Sequence, residues 1–455
     1  MNNEVIENLV SRIVQSYKFV GFVNDTIHER DLFLSLLTCV LVKSSDLNSL
    51  ISEFKLINPN NDFLQTVTEH ATNKNLSPAL QRVLVEISDL VKMNNPSLAI
   101  HEVFQFADDP QIRTLIKVDR ITLYDRVLQR LQAMNLPDQF ASDFSYQTLP
   151  FNFAELYTKL LKPKQNSRVY DPYAMTGESI VDFSLLNNDI NVTTESVNQS
   201  SRYIQHKLLI AGASETYAKN SFALEPKSNV NKGEFDYAFT LLQPNISAEI
   251  EDITGDSSRR LKGNFEEQRI PKPVVKSRFW EHALIHHMLY SLNDSGKAII
   301  ITGKGPLSRH SDFHSRKILV DKNLIDGVIQ LPAKLLDART VSLFAIILNK
   351  RRSDEDKIIL IDARDCCTFE SGINKLTYID DIANAYLVQN SQSLTFELVT
   401  PTSIVEKGYS FNVDTYLSSE AQQYEDINAE ETQQALLRQQ RITDSIIMKL
   451  NHLIK

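Results

Sequence analysis

This 455-residue sequence predicts an α/β fold on a mainly parallel sheet, preceded by a helical region and closed by a long amphipathic helix. Three observations carry that expectation. Up to about Phe140 apolar residues recur at helical spacing, as in Leu32, Leu36, Leu37 and Val40. After the polar stretch ASDFSYQTLP, short β-branched runs alternate with helical patterns, as βαβ units require. The length also exceeds what one compact core holds, so separate units are expected at residues 1–140, 141–420 and 421–455.

Seven strands are expected in order: SRVY (167–170), NVTTE (191–195), FDYAFTLL (235–242), KAIIITG (297–303), LIDGVIQL (324–331), VSLFAIILN (341–349) and KIILIDA (357–363). The intervening helices are FAELYTKLL, ESIVDFSLL, NQSSRYIQHKLLIAG, FWEHALIHHMLYSL and HSDFHSRKILVDK, each with an apolar stripe that suits packing on a sheet. The third begins at Asn198 and ends at Gly212, residues suited to the two ends of a helix, and places Ile204 and Leu208 one turn apart. From about Ala421, Leu436, Ile442, Ile446, Leu450 and Leu453 recur amid Gln, Glu and Arg, a stripe suited to a partner helix.

Hydrophobic residues at 42% and charged residues at 23% are ordinary for a globular protein. No secretion signal or membrane span is expected, because no window approaches eighteen apolar residues. The cysteines Cys39, Cys366 and Cys367 lack metal spacing, so a reduced, cytoplasmic chain without structural zinc is expected. The net charge of -9 argues against nonspecific grip on DNA by the whole surface. Yet Asp256 to Arg352 holds 18 Lys and Arg against 9 Asp and Glu, so that stretch carries +9 and the remainder -18. A phosphate-facing surface is therefore expected in the middle of the chain.

The first strand runs into VYDPYAMTGES and at once into a helix, the strand–turn–helix arrangement that nucleotide-like cofactors use. Glu195 ends the second strand 24 residues after Asp171, the place of an acid that binds ribose hydroxyls. His282, His286 and His287 share one helix and read as packed side chains rather than ligands, so no metal is expected. His310 and His314, beside Arg309 and Arg316, read as surface or phosphate-facing groups. Ser308 has no glycine elbow, and no G-x-G-x-x-G occurs, which weighs against a hydrolase and a dinucleotide oxidoreductase.

In this order the segments resemble the modification subunits of type I restriction-modification systems, adenine-N6 DNA methyltransferases that use S-adenosylmethionine. TLPFNFAELYTKLL resembles the family's segment before its first helix, and Asp171 to Glu178 its DPACGSGG loop. Asn220-Ser221-Phe222 resembles an Asp-Ser-Leu segment that touches adenine, and KGYSFNVDTYL the segment before the C-terminal helix. The resemblance implies a seven-stranded, Rossmann-like methyltransferase domain. It implies S-adenosylmethionine held by Asp171, Thr176, Gly177, Glu195 and Asn220, and DNA beside the loop bearing Arg259, Arg260, Lys262 and Arg269. It also implies that the C-terminal helix packs on a specificity-type subunit or a second copy of the chain.

The departures from the family fall at two loops. Met175 stands at the first cofactor glycine and Glu178 at the last. The family's catalytic Asn-Pro-Pro-Phe follows a strand beginning Phe-Asp, but here Phe235-Asp236 leads to Leu241, Leu242, Gln243, Pro244 and Asn245. An ungapped match puts Leu241 at the Asn position, and a two-residue shift puts Gln243 and Pro244 there. Neither register restores both the amide that orients the adenine amine and the ring that stacks on the base. The expectation is a catalytically degenerate, methylation-subunit-like scaffold for DNA and a partner, with vestigial cofactor binding. The alternative is an active adenine-N6 methyltransferase in which Gln243 does the work of the usual Asn.

Overall fold

In a computed structural model of the chain, the described residues are 3–20, 27–42, 48, 51–52, 62–73, 76–93, 97–133, 152–187, 189–196, 200–213, 215–221, 223–225, 230–242, 266, 268–275, 279–336, 341–353, 356–370, 372–391 and 393–417. Gln243, Pro244, Asn245, Arg259, Arg260, Lys262 and the expected helix from Ala421 lie outside them.

The helices Asn3–Val20, Ile27–Leu41, Asp62–Ala71, Pro78–Met93, Ser97–Phe104, Pro110–Thr114 and Lys117–Ala133 (α1–α7) precede the sheet. Local chemistry sets their ends. At α6 the Asp109 carboxylate accepts from the amides of Gln111 and Ile112, and Pro110 occupies the first turn, where no amide hydrogen is needed.

Nine strands form one sheet: β1 Arg168–Asp171, β2 Asn191–Ser196, β3 Glu215–Asn220, β4 Phe235–Leu241, β5 Leu292–Thr302, β6 Ile325–Ala333, β7 Ser342–Asn349, β8 Ile358–Asp362 and β11 Thr395–Val399. Between the last two, β9 Cys367–Glu370 and β10 Ile373–Leu376 make a separate antiparallel pair. The order across the large sheet is β11-β8-β6-β7-β5-β4-β1-β2-β3. Strand β7 runs antiparallel between β5 and β6, whereas β3-β2-β1-β4-β5 is parallel throughout.

All seven expected runs are strands of this sheet, but the expected count is corrected to nine. The additions, β3 (ETYAKN) and β11 (TFELV), are its two edges. An edge strand needs no continuous apolar run, which is why neither stood out in the sequence.

The helices that accompany the sheet are Asn152–Leu161, Glu178–Leu186 and Ser200–Ala211 (α8–α10), Lys272–Val275, Glu281–Ser291, Gly305–Ser308 and Phe313–Asp321 (α11–α14), then Ile379–Val388 and Pro401–Glu406 (α15 and α16). Helix α10 stops at Gly212, whose φ of 77° is the left-handed turn expected of a glycine there. Side chains alternate across the sheet. Ile299 and Ile301 enter one buried cluster with α8, α9, α10 and α15, while Ala298 and Ile300 enter another with α12, α14 and α16.

The first cluster also takes in Leu9, Leu36, Leu84 and Leu128 from the leading helices. The seam on α10 is polar as well. Tyr203 donates to Asp31 at 2.9 Å, Arg202 Nε lies 2.8 Å from Glu86, and Tyr124 lies 2.6 Å from His206 Nδ1. Chain order reverses between β1 and β4, the switch point beside which an open α/β sheet characteristically has its ligand crevice, at the carboxyl ends of the strands.

Candidate cofactor site

Both sequence-predicted acids lie at that crevice. Asp171 ends β1, and its Oδ1 accepts from the Tyr173 amide at 3.0 Å, which folds the chain into the turn. The turn is stitched to its neighbours. Ala174 N donates to Glu195 O at 3.0 Å, Ser196 Oγ donates to Met175 O at 2.8 Å, and Thr240 Oγ1 donates to Tyr173 O at 3.3 Å.

Gly177 starts α9 with φ 86°, and a Cβ there would lie 2.5 Å from Ile204 Cγ1. Only glycine suits that position, because conformation and space both exclude a side chain. Met175 has φ 49°, so it takes a left-handed turn of the kind a glycine there would adopt freely, while its side chain packs against the second buried cluster.

The acids are closed in by protein. Asp171 and Glu195 are each 2% exposed. Burial raises the Asp171 carboxyl to about 7, against the lowering by the Tyr173 amide and Thr240. Glu195 Oε1 accepts from Tyr170 OH at 2.7 Å and Oε2 from Ser221 Oγ at 2.8 Å, so each oxygen already has an internal donor. The Thr176 hydroxyl donates to Glu178, and Asn220 pairs with Ser196 at the end of β3.

An adenosine ribose offers two hydroxyl donors to such an acid, and the methionine end of the cofactor needs an open turn. Each carboxylate oxygen can still accept a second hydrogen bond, but Glu195 is 2% exposed, so the ribose hydroxyls have no approach to it and the described residues do not fit S-adenosylmethionine as they are arranged.

The catalytic strand gives the same picture. Leu241 ends β4, opposite Ile301, and is buried in the first cluster; Leu242 is buried in the second and its amide donates to Ile301 O at 2.8 Å. An apolar, buried side chain at the ungapped Asn position offers nothing to an adenine amine.

Sequence reasoning missed Tyr170 and Ser221 as donors to Glu195, and Lys207 beside the turn. Lys207 is 1% exposed and donates to Thr176 O at 2.8 Å. Its one signal was a lysine placed directly before the apolar run Leu208, Leu209 and Ile210.

One expectation is corrected by placement. Arg269 was expected on a DNA-facing loop, but it is 3% exposed and donates inward to Ala223 O, Glu225 O and His287 Nδ1. His310 and His314 are exposed, while Arg316 beside them is 2% exposed and donates to the carbonyls of Tyr409, Pro306 and Arg309. The remaining helix α12 histidines are packed side chains: Ser315 Oγ lies 2.7 Å from His282 Nδ1 and 2.9 Å from His286 Nε2. Among the described residues no cluster of His, Cys, Asp and Glu is arranged to hold a metal, and no helix is long and apolar enough to cross a membrane.

A family model described as N-6 DNA methylase matches residues 145–425. The chain is 32% identical to the type I restriction enzyme MpnII methylase subunit of Mycoplasma pneumoniae over 146 residues, 31% of this chain and 27% of that protein. It is 26% identical to the type I restriction enzyme MjaVII methylase subunit of Methanocaldococcus jannaschii over 326 residues, 66% of this chain and 54% of that protein. These matches span between about a quarter and a half of the curated relatives. Among solved structures, the type I restriction-modification system methyltransferase subunit from Streptococcus thermophilus shares the fold, with a TM-score of 0.55 and 15% identity, covering 91% of this chain and all of that one. With the matched region spanning more than half of its length, this chain belongs to the N-6 DNA methylase family.

Proposed function

We propose that the chain is a methylase-subunit-like component of a restriction-modification or related DNA-defence system that has given up methyl transfer and serves as a DNA- and partner-binding scaffold. The observation that carries this reading is Glu195, buried and hydrogen-bonded on both oxygens by Tyr170 and Ser221. Met175 in the cofactor turn and buried Leu241 at the end of the catalytic strand support it.

In this reading residues 1–140 are a helical domain, 141–420 the methyltransferase-like domain, and 421–455 a helix for a specificity-type subunit or a second copy of the chain. DNA lies along the basic middle of the sequence, with Arg259, Arg260 and Lys262 facing phosphate, and the protein works in the cytoplasm.

Isothermal titration with S-adenosylmethionine, together with a methyl-transfer assay on unmodified DNA, tests the proposal. No heat and no transfer are expected. Micromolar binding with methyl transfer overturns the scaffold and restores an adenine-N6 methyltransferase that uses Gln243.

A further inference from the structure

Arg269 and Glu195 are both buried. Two residues join them. Arg269 Nε donates to His287 Nδ1 at 3.0 Å, His287 Nε2 lies 2.9 Å from Tyr170 OH, and Tyr170 OH donates to Glu195 Oε1 at 2.7 Å. The directions are forced. Arginine can only donate, so His287 Nδ1 must accept, which leaves the hydrogen of the neutral ring on Nε2. Tyr170 then receives from His287 and gives its own hydrogen to the carboxylate. Burial, with help from Arg269 and Lys219, pushes the His287 pKa well down and keeps the ring neutral.

We infer that Arg269 is the resident charge partner of Glu195 through this relay, and that the relay latches residues 268–275 onto the carboxyl end of the sheet. Two uncompensated charges at this depth would each cost several kcal/mol, and a chain of oriented neutral donors between them removes that cost. The same guanidinium reaches Glu225 O at 2.6 Å and also Ala223 O, which fixes the turn that follows Ser221, the second donor to Glu195. Ile270 and Val274 bury their side chains in the cluster that contains Tyr170, so the latched segment is packed as well as bonded. Glu195 is thus retained because it completes an internal ion pair. A ligand hydroxyl that displaced Tyr170 from Glu195 would undo the relay and release Arg269.

The inference rests on the closed-pocket reading above, but the two fall separately. In a thermal double-mutant cycle, Arg269→Met and Glu195→Gln each lower the melting midpoint by about 5 °C or more, since each removes one end of the relay. The double variant falls by clearly less than the sum, because either change alone already breaks the relay. Strict additivity overturns the relay. Tyr170→Phe removes one oxygen and is expected to raise amide hydrogen exchange of residues 268–275 at least tenfold. Unchanged protection there overturns the latch, and this measurement decides even if Arg269→Met does not fold. Heat on titrating S-adenosylmethionine into the unaltered chain sinks the scaffold reading while the coupling in the cycle stands; a silent titration with additive variants does the reverse.

Discussion

The buried ammonium of Lys207 donates to the carbonyl of Thr176 at 2.8 Å, so helix α10 grips the turn after β1 from below. The same ammonium lies 3.2 Å from Asp125 Oδ1 on α7 and 3.7 Å from Glu178 Oε1. One cation therefore ties the leading helices, the turn and the start of α9 together. Lys207→Met keeps the stem and removes the charge, which leaves these acids facing one another. A loss of about 3 kcal/mol is expected in urea unfolding, typical of breaking a buried pair from one side. A loss under about 0.5 kcal/mol would show that the grip is incidental.

Asp171 gives a pH dependence of definite sign. Burial raises its folded-state value to about 7, so from about pH 4 to 7 the folded chain holds a proton that the unfolded chain has released. The stability from this group is complete below the unfolded value and is lost as pH rises towards 7. Asp171→Asn keeps an acceptor for the Tyr173 amide and cannot ionise. It is expected to exceed the unaltered chain by about 4 kcal/mol at pH 8 and to match it below pH 4, as urea midpoints would report.

His282 and His286 act in the opposite sense. Burial lowers them to about 4 and about 3, while both keep hydrogen bonds to Ser315. Their contribution is complete above the ordinary histidine value near 6.5 and is lost as pH falls towards those lowered values. His286→Gln should reduce the slope of stability against pH, between about pH 4 and 6.5, by about 1.4 kcal/mol per pH unit. An unchanged acid limb would mean that this ring is not protonated on unfolding.

Gly177→Ala meets two obstacles, a φ of 86° and Ile204 Cγ1 at 2.5 Å. A loss of about 2 kcal/mol is expected in thermal melts. Adding Ile204→Ala to that variant relieves the clash and leaves the strain, so the two changes should be non-additive.

If the basic loop faces DNA, replacing Arg259, Arg260 and Lys262 with Ala weakens binding and flattens its dependence on salt, by up to about 0.9 in the logarithmic slope for each phosphate left unneutralised. Arg269→Met should leave that slope unchanged, because its guanidinium faces inward. Filter binding across a salt series compares the two, and an unchanged slope for the triple variant rejects the placement.

Much of the sheet was legible because buried strands and their covering helices must carry apolar residues at fixed periods. Ile299 and Ile301 against Ala298 and Ile300 show period two written into KAIIITG. Asp171 and Glu195 were legible for a different reason: strand ends at a crevice place such acids at a regular distance along the chain. The edges β3 and β11 were not legible, since one free side relaxes the demand on composition.

By itself, then, the sequence determined the alternating α/β order, the family resemblance, and the two loops at which that resemblance breaks, all of which are local in the chain. Tertiary structure alone decided what the surviving acids do. Glu195 meets Tyr170 across 25 positions and Ser221 across 26, and Arg269 meets His287 across 18, so no motif window contains the set. An acid's role depends on which donors reach its oxygens and whether water does, and that is fixed only when distant segments pack.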